Sequence, residues 1–168
     1  MPTVHPQPTT VAARRPGPAY RIVQATGDGV RYIAALLPVA VAAAVAIPLG
    51  QGDAATGWSR RLAGRRTDPA VRPGWPRLAA YGLLSLLLAA VAVIPLGCLA
   101  LFVARGMLYG IVDHGPYDTS WGGPSRGGAW LAHFLVGIPI ALAALAGAAG
   151  LAALHRRLTG WLDGRPTR

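Results

Sequence analysis

Asp113, His114, Tyr117, Asp118 and His133 are the side chains of this sequence best able to move protons or hold a cation, and they fall within residues 113–133. Carboxylates and imidazoles suit divalent metals, and imidazole is the side chain that titrates near neutral pH. Their spacing follows no defined metal motif. A metal or proton site therefore stands beside a plainer reading, a polar loop with His133 hydrogen-bonded near a membrane interface. Between them lies Trp121-Gly122-Gly123-Pro124, in which glycine permits positive φ and proline presets the next turn residue. Trp121 and Trp130 suit a headgroup layer, where amphipathic rings are favoured. With Arg126, these residues read as a structured cap or sensing surface, and no metal or cofactor is assigned to them.

Elsewhere the signatures of catalysis are missing. The chain has no phosphate-binding glycine loop with lysine, no HExxH, no GxSxG and no cysteine cluster. It lacks glutamate altogether, and its six acidic residues are scattered aspartates, which leaves few candidates for paired-carboxylate chemistry. The expectation is a protein that is not an enzyme. The single cysteine, Cys98, lies in an apolar run and reads as a small packing residue.

The elements that must position the cap are apolar. Of 168 residues 53% are hydrophobic and 13% charged, and no formally charged residue occurs between Arg77 and Arg105 or between Arg126 and His155. Each gap exceeds the roughly 20 residues needed to cross a ~30 Å hydrocarbon core. Residues 78–104, with Pro95, and 130–154, with Pro139, are expected to form a transmembrane helical hairpin. Residues 33–50, rich in alanine and interrupted by Pro38 and Pro48, form an additional, weaker apolar helix. The fold class is an all-α membrane protein with short juxtamembrane helices. Residues 1–30, with five prolines, read as a disordered tail ahead of a membrane domain at 31–168, and not as a cleaved signal.

All 16 basic residues are arginine, giving a net charge of +10. Because they flank the apolar runs, they read as orientation signals and lipid contacts, with no nucleic-acid partner expected. Residues 51–77 hold six arginines and two aspartates, residues 155–168 hold four and one, and loop 105–129 holds two of each. This balance places the two basic segments and the C-terminus in the cytoplasm and loop 105–129 outside, in a multi-pass cell-membrane protein. Arg14, Arg15, Arg21 and Arg31 oppose a simple crossing of the first segment. A crossing with the N-terminus outside is preferred, with a shallow or re-entrant segment as the alternative.

Residues 58–66 and 155–161 read as short interfacial helices. Arg60, Arg61, Arg156 and Arg157 would meet lipid phosphates or a cytoplasmic signalling partner, while Trp58, Leu62, Leu158 and Trp161 dip into the boundary. Gly106/Gly110, Ala143/Gly147 and Ala146/Gly150 have the spacing of close helix contacts, within one chain or in a homo-oligomer. Ile-Pro-Leu-Gly occurs at 47–50 and 94–97, and Arg-Arg-Leu-Ala-Gly at 60–64 is echoed by Arg-Arg-Leu-Thr-Gly at 156–160. These echoes point to duplicated halves, the first having lost its loop and second span.

The stretch from Gly74-Trp75 to Leu84-Ser85, Leu108-Tyr109, YDTSWGGPSRGGAWLAH (Tyr117 to His133) and Arg156-Arg157-Leu158 resembles an actinobacterial membrane sensor domain. That family occurs upstream of histidine kinases and as stand-alone proteins. The resemblance covers about residues 58–162, and WGGP followed by GAW is its most specific part. Arg126-Gly127 replaces the alanine-type residues expected after WGGP, and the first half is short. The resemblance implies a non-enzymatic signal-transduction module acting through a separate partner, such as a histidine kinase or another membrane protein. The alternative is an accessory or scaffold subunit of a membrane transporter. A channel or carrier fits less well, because Ser85 and His133 are nearly the only polar side chains inside the hairpin spans.

Overall fold

The computed structural model describes residues 17–66 and 72–163 of the chain. It is all-helical: α1 Pro18–Ala46, α2 Gly52–Leu62, α3 Trp75–Leu101 continuing into a π-helical turn Phe102–Met107, α4 Tyr109–Val112, and α5 Arg126–Leu162. Three stretches, Tyr20–Ala46, Trp75–Met107 and Arg126–Leu162, are long and apolar enough to cross a membrane.

Local chemistry sets the boundaries. Pro18 opens α1 after Gly17, and Pro76 lies in the first turn of α3 after Gly74; at these positions the missing proline N–H would have had no helical partner. Ser125 caps α5, its hydroxyl accepting the Gly128 N–H at 3.1 Å. At the far end of α1, Pro48 and Gly50, with φ +75°, turn the chain into α2.

Several expected boundaries move. Residues 18–30, expected in the tail, form the first turns of α1, because proline at a helix start favours the helix it would break further in. Residues 1–16, with most of the tail prolines, lie outside the described residues. The first apolar segment is the second half of a 29-residue helix and stops at Ala46, short of Gly50. Residues 155–162 form no separate interfacial helix: they are the last turns of α5, which runs 37 residues without a break. The α2 helix does form, but it folds onto the bundle, with Ala55, Thr56, Ser59 and Arg60 buried. The sequence echoes also diverge. Ile47–Gly50 makes a turn, whereas Ile94–Gly97 is helical, and Gly64 (φ +67°) lies just past α2 while Gly160 lies inside α5.

The helices meet on small residues. Ile33 packs with Ala92, Ala148 and Ala152, while Leu36 and Ala40 pack on Ala89. At Gly82 a β-carbon would come within 2.9 Å of Ile47 Cδ1, and at Gly29 within 3.2 Å of the Ala149 backbone. These contacts make α1 and α5 parallel and α3 antiparallel to both. The α2 helix lies beside the α1 C-terminus, the α3 N-terminus and the α5 C-terminus. The α1 N-terminus points toward the opposite end, where loop 108–125 lies. In lipid, helices gain little from hydrophobic burial against each other, so close backbone approach at such residues is the main packing gain.

Gly29→Leu is therefore expected to destabilise the bundle by about 1–3 kcal/mol through overpacking. Gly97→Leu, at a site with no heavy atom within 4 Å of the added β-carbon, should cost much less. Unfolding of the purified chain in mixed micelles distinguishes the two, and equal losses would refute the α1–α5 contact.

Candidate functional site

At the loop end, the cap is built from the start of α5 outward. Gly122 has φ +84°, and a β-carbon there would lie 2.6 Å from Gly128 O, so the glycine allows the loop to lie on the first turn of α5. At Gly123 a β-carbon would meet Ser120 O at 2.8 Å. The Gly123-Pro124 peptide is cis. Arg126 reaches back to donate to Ile111 O at 3.1 Å, fastening the loop to the end of α4.

The π-turn supplies the other wall. A π-turn leaves backbone carbonyls without their usual partners, and Trp130 Nε1–H donates to Gly106 O at 2.9 Å. The Trp130 ring occupies the space beside Gly110, where a β-carbon would come within 2.7 Å of Cγ. Trp130 is thus partly committed to the protein and is not a free headgroup anchor, whereas Trp121 remains largely exposed. Gly106 and Gly110 receive Phe102 and Trp130 from their own chain, while Gly147 and Gly150 have open space around them.

Of the expected site residues, His133, Tyr117 and Trp121 gather around Tyr109. The His133 ring stacks on Tyr109 at 4.6 Å and meets Trp121 edge-on at 6.3 Å, and Tyr109 meets Tyr117 at 6.4 Å. His133 lies two turns inside α5. Its Nδ1–H donates to Ala129 O at 2.7 Å, so in the neutral ring the Nε2 lone pair stays available. Asp113 also lies against Tyr109, whose hydroxyl donates to its carboxylate, while Oδ1 accepts the Gly115 N–H at 3.0 Å; His114 points elsewhere, its Nδ1–H donating to Val112 O at 2.9 Å. The Tyr117 hydroxyl donates to the backbone oxygen of Asp113. Asp118 lies in the same loop. Among the described residues no three His, Cys, Asp or Glu side chains are grouped to hold a metal ion. The Gly115 N–H, helped by Tyr109 and Arg105, holds the Asp113 carboxyl below its ordinary value.

The α2 end holds a constellation that sequence reasoning missed. His155 is fully buried, its Nδ1 2.8 Å from the Tyr32 hydroxyl and its Nε2 3.0 Å from the Tyr81 hydroxyl and 3.5 Å from Ser85 Oγ. One neutral imidazole both donates and accepts, so one tyrosine accepts its proton while the other donates. The Arg156 guanidinium lies 4.4 Å from the Tyr32 ring centre. Nearby, Arg60 Nε and Nη2 both reach Asp163 Oδ1 at 2.8 Å, with 5% and 8% of the two side chains exposed, and Arg65 Nη1 lies 4.0 Å from Oδ2. Arg60 therefore pins α2 to the end of α5 and does not face lipid as expected. Arg61, Arg156 and Arg157 are exposed. The signal that could have found the hub is a histidine and two tyrosines near the ends of apolar runs.

No family model, curated protein or solved structure matches the chain.

Asp163→Ala leaves a buried guanidinium without its carboxylate and should cost about 3–5 kcal/mol, read by unfolding in micelles. Exchanging the pair (Arg60→Asp with Asp163→Arg) should recover part of it; no recovery would mean that the charges do not act as a pair. In the cap, the depressed Asp113 carboxyl stabilises the fold above the ordinary carboxylate range, and this contribution is lost as pH falls through that range and below. Trp121 fluorescence should report loosening there, and Asp113→Asn should flatten the profile.

Proposed function

We propose that this chain is a non-enzymatic input module for signal transduction in the cell membrane. It would receive its stimulus at the loop end and hand it to a separate partner, a histidine kinase or another membrane protein, at the α2 end. One observation carries this reading. The cap and the His155 hub sit on the same unbroken helix, α5, about 55 Å long at 1.5 Å per residue. A shift or rotation at Trp121, Tyr117 and His133 acts on one continuous helix, with Pro139 between the two ends, whose far end carries His155 and Asp163.

The charge balance supports an orientation with the cap outside. By sequence, segments 51–77 and 155–168 hold ten arginines, against two in loop 105–129. With α1 parallel to α5, this orientation puts the N-terminus outside despite Arg14, Arg15, Arg21 and Arg31. The exposed Arg61, Arg156 and Arg157 leave basic side chains at this end for a cytoplasmic partner. The resemblance of the WGGP–GAW stretch to a sensor domain points the same way. A ridge of exposed Leu37, Val41 and Val45 on α1 suits the second reading, an accessory subunit seated against a membrane transporter.

In-membrane crosslinking followed by purification is expected to bring down a histidine kinase or its response regulator, and His155→Phe should change that partner's output without lowering the amount of chain in the membrane. Recovery of transporter ATPase components instead would replace the first reading with the second. Reporter fusions at Ala55, Tyr117 and the C-terminus test the orientation, and a cytoplasmic residue 117 would overturn it.

A further inference from the structure

Three cavities follow one side of the α3–α5 seam. The first, of about 300 Å³, has Arg105, Trp121 and His133 at its rim and Phe102 and Gly137 in its wall. The second, of about 610 Å³, shares Cys98 and Ile140 with it and is lined by Val91, Pro95, Ala143 and Gly147. The third, of about 200 Å³, shares Val91 and ends at Leu154 and Leu158. Together they form a trough along the hairpin whose lining meets the α1 clusters at Leu88 and Leu151.

The trough is open because its floor is kept low. The Phe102 ring lies across two glycines, with a β-carbon at Gly106 meeting it at 2.7 Å and Gly137 closer still. Ala143, Ala144 and Gly147 then present little side chain opposite Val91, Ile94 and Pro95. Apolar walls without atoms against them forfeit dispersion contacts, so in a bilayer such a trough fills.

Polarity is confined to one end. Arg105 is exposed and, among the described residues, has no carboxylate within 4.0 Å; its guanidinium lies 5.8 Å from the Tyr109 ring centre. Beside it is His133, whose Nε2 is left over by the Nδ1–Ala129 bond. From Arg105 to Val91 the trough runs 14 residues, about 21 Å of helix, which exceeds the ~15 Å half-thickness of a hydrocarbon core. A cation at the interface above an apolar slot one leaflet deep complements an anionic headgroup on an acyl chain. The seam between two touching helices also fits a thin chain better than a third helix about 10 Å across.

We propose that this trough binds one acyl chain of an anionic phospholipid, with Arg105 taking the headgroup phosphate at the cap. The bound lipid would be the ligand that the cap reports, so this rests on the reading of the cap as the input end. Its binding, however, is measurable on the chain alone.

The test reconstitutes the full chain in phosphatidylcholine vesicles containing a small fraction of lipid brominated on its acyl chain, and reads the fluorescence quenching lost on Trp121→Phe. Brominated phosphatidylglycerol should occupy the site about fivefold more than brominated phosphatidylcholine, the preference given by one arginine at an anionic lipid. Arg105→Gln should abolish the preference. Gly147→Leu, placed where a β-carbon meets open space, should reduce quenching by both lipids. Equal quenching by the two lipids in the native chain, or quenching that survives Gly147→Leu, would overturn the proposal. So would efficient Cys98–Cys98 crosslinking between two chains, which would put a second copy in the trough. Lipid preference with no partner output would leave the site standing and refute only the sensing role.

Discussion

A buried imidazole surrounded by apolar helices is tolerable only when both ring nitrogens have partners. His155 finds them on two other helices, Tyr32 on α1 and Tyr81 on α3. Satisfying one side chain thus fixes the height and rotation of three helices at once. The alanine and glycine contacts nearby would tolerate sliding, since one small residue replaces another with little change. A hydrogen bond in a membrane contributes only roughly 0.6–2 kcal/mol, so the hub specifies one register more than it adds stability. The rest of the α2 end is arranged around it. Thr159 donates to the His155 carbonyl at 2.9 Å, and Arg156 covers the Tyr32 ring. The Arg60–Asp163 pair then closes α2 over the helix ends.

What the sequence revealed and what it hid follow from the range of the interactions. The two hairpin helices were legible, because an uncharged run beyond about 20 residues has few other solutions, while the first, weaker segment was seen as apolar but not as the second half of a longer helix. The cap glycines were legible too, since Gly122 takes the positive φ that its turn requires. His155 looked like the start of a basic flank because Arg156 and Arg157 follow it, and its partners lie 123 and 74 residues away. Arg60 looked like a lipid contact for the same reason, with Asp163 103 residues distant. Periodicity reports a residue's neighbours along one helix and says nothing about which polar side chain faces it from another. The tail was misjudged at Pro18 on a different ground: composition counted prolines without asking which of them opens a helix.

The two ends of the bundle are built on different physics. The α2 end is held by buried hydrogen bonds and an ion pair, which are directional and tolerate little displacement. The loop end is held largely by rings: Phe102 beside Phe134 at 5.9 Å, and His133 between Tyr109 and Trp121. Ring contacts tolerate small displacements better than hydrogen bonds do, and among the described residues only the Trp130–Gly106 O and Arg126–Ile111 O bonds add direction between elements here. Since α5 is continuous, a shift there reaches a hub with far less slack.

The π-turn is what gives the loop end its shape. Adding one residue to a turn of 3.6 rotates everything after it by about 100°. Tyr109 follows the π-turn and stacks on His133 of α5, while Trp130 of α5 meets the Gly106 carbonyl that the turn frees. Were Phe102–Met107 an ordinary α-turn, Tyr109 would be carried to a different face and Gly106 O would be taken by its own helix. The aromatic cluster, the place of Trp130 and the low floor under Arg105 thus depend on one irregular turn. Phe-Val-Ala-Arg-Gly-Met carries no local signal for it, because the turn is favoured by what it meets on α5 and not by its own residues.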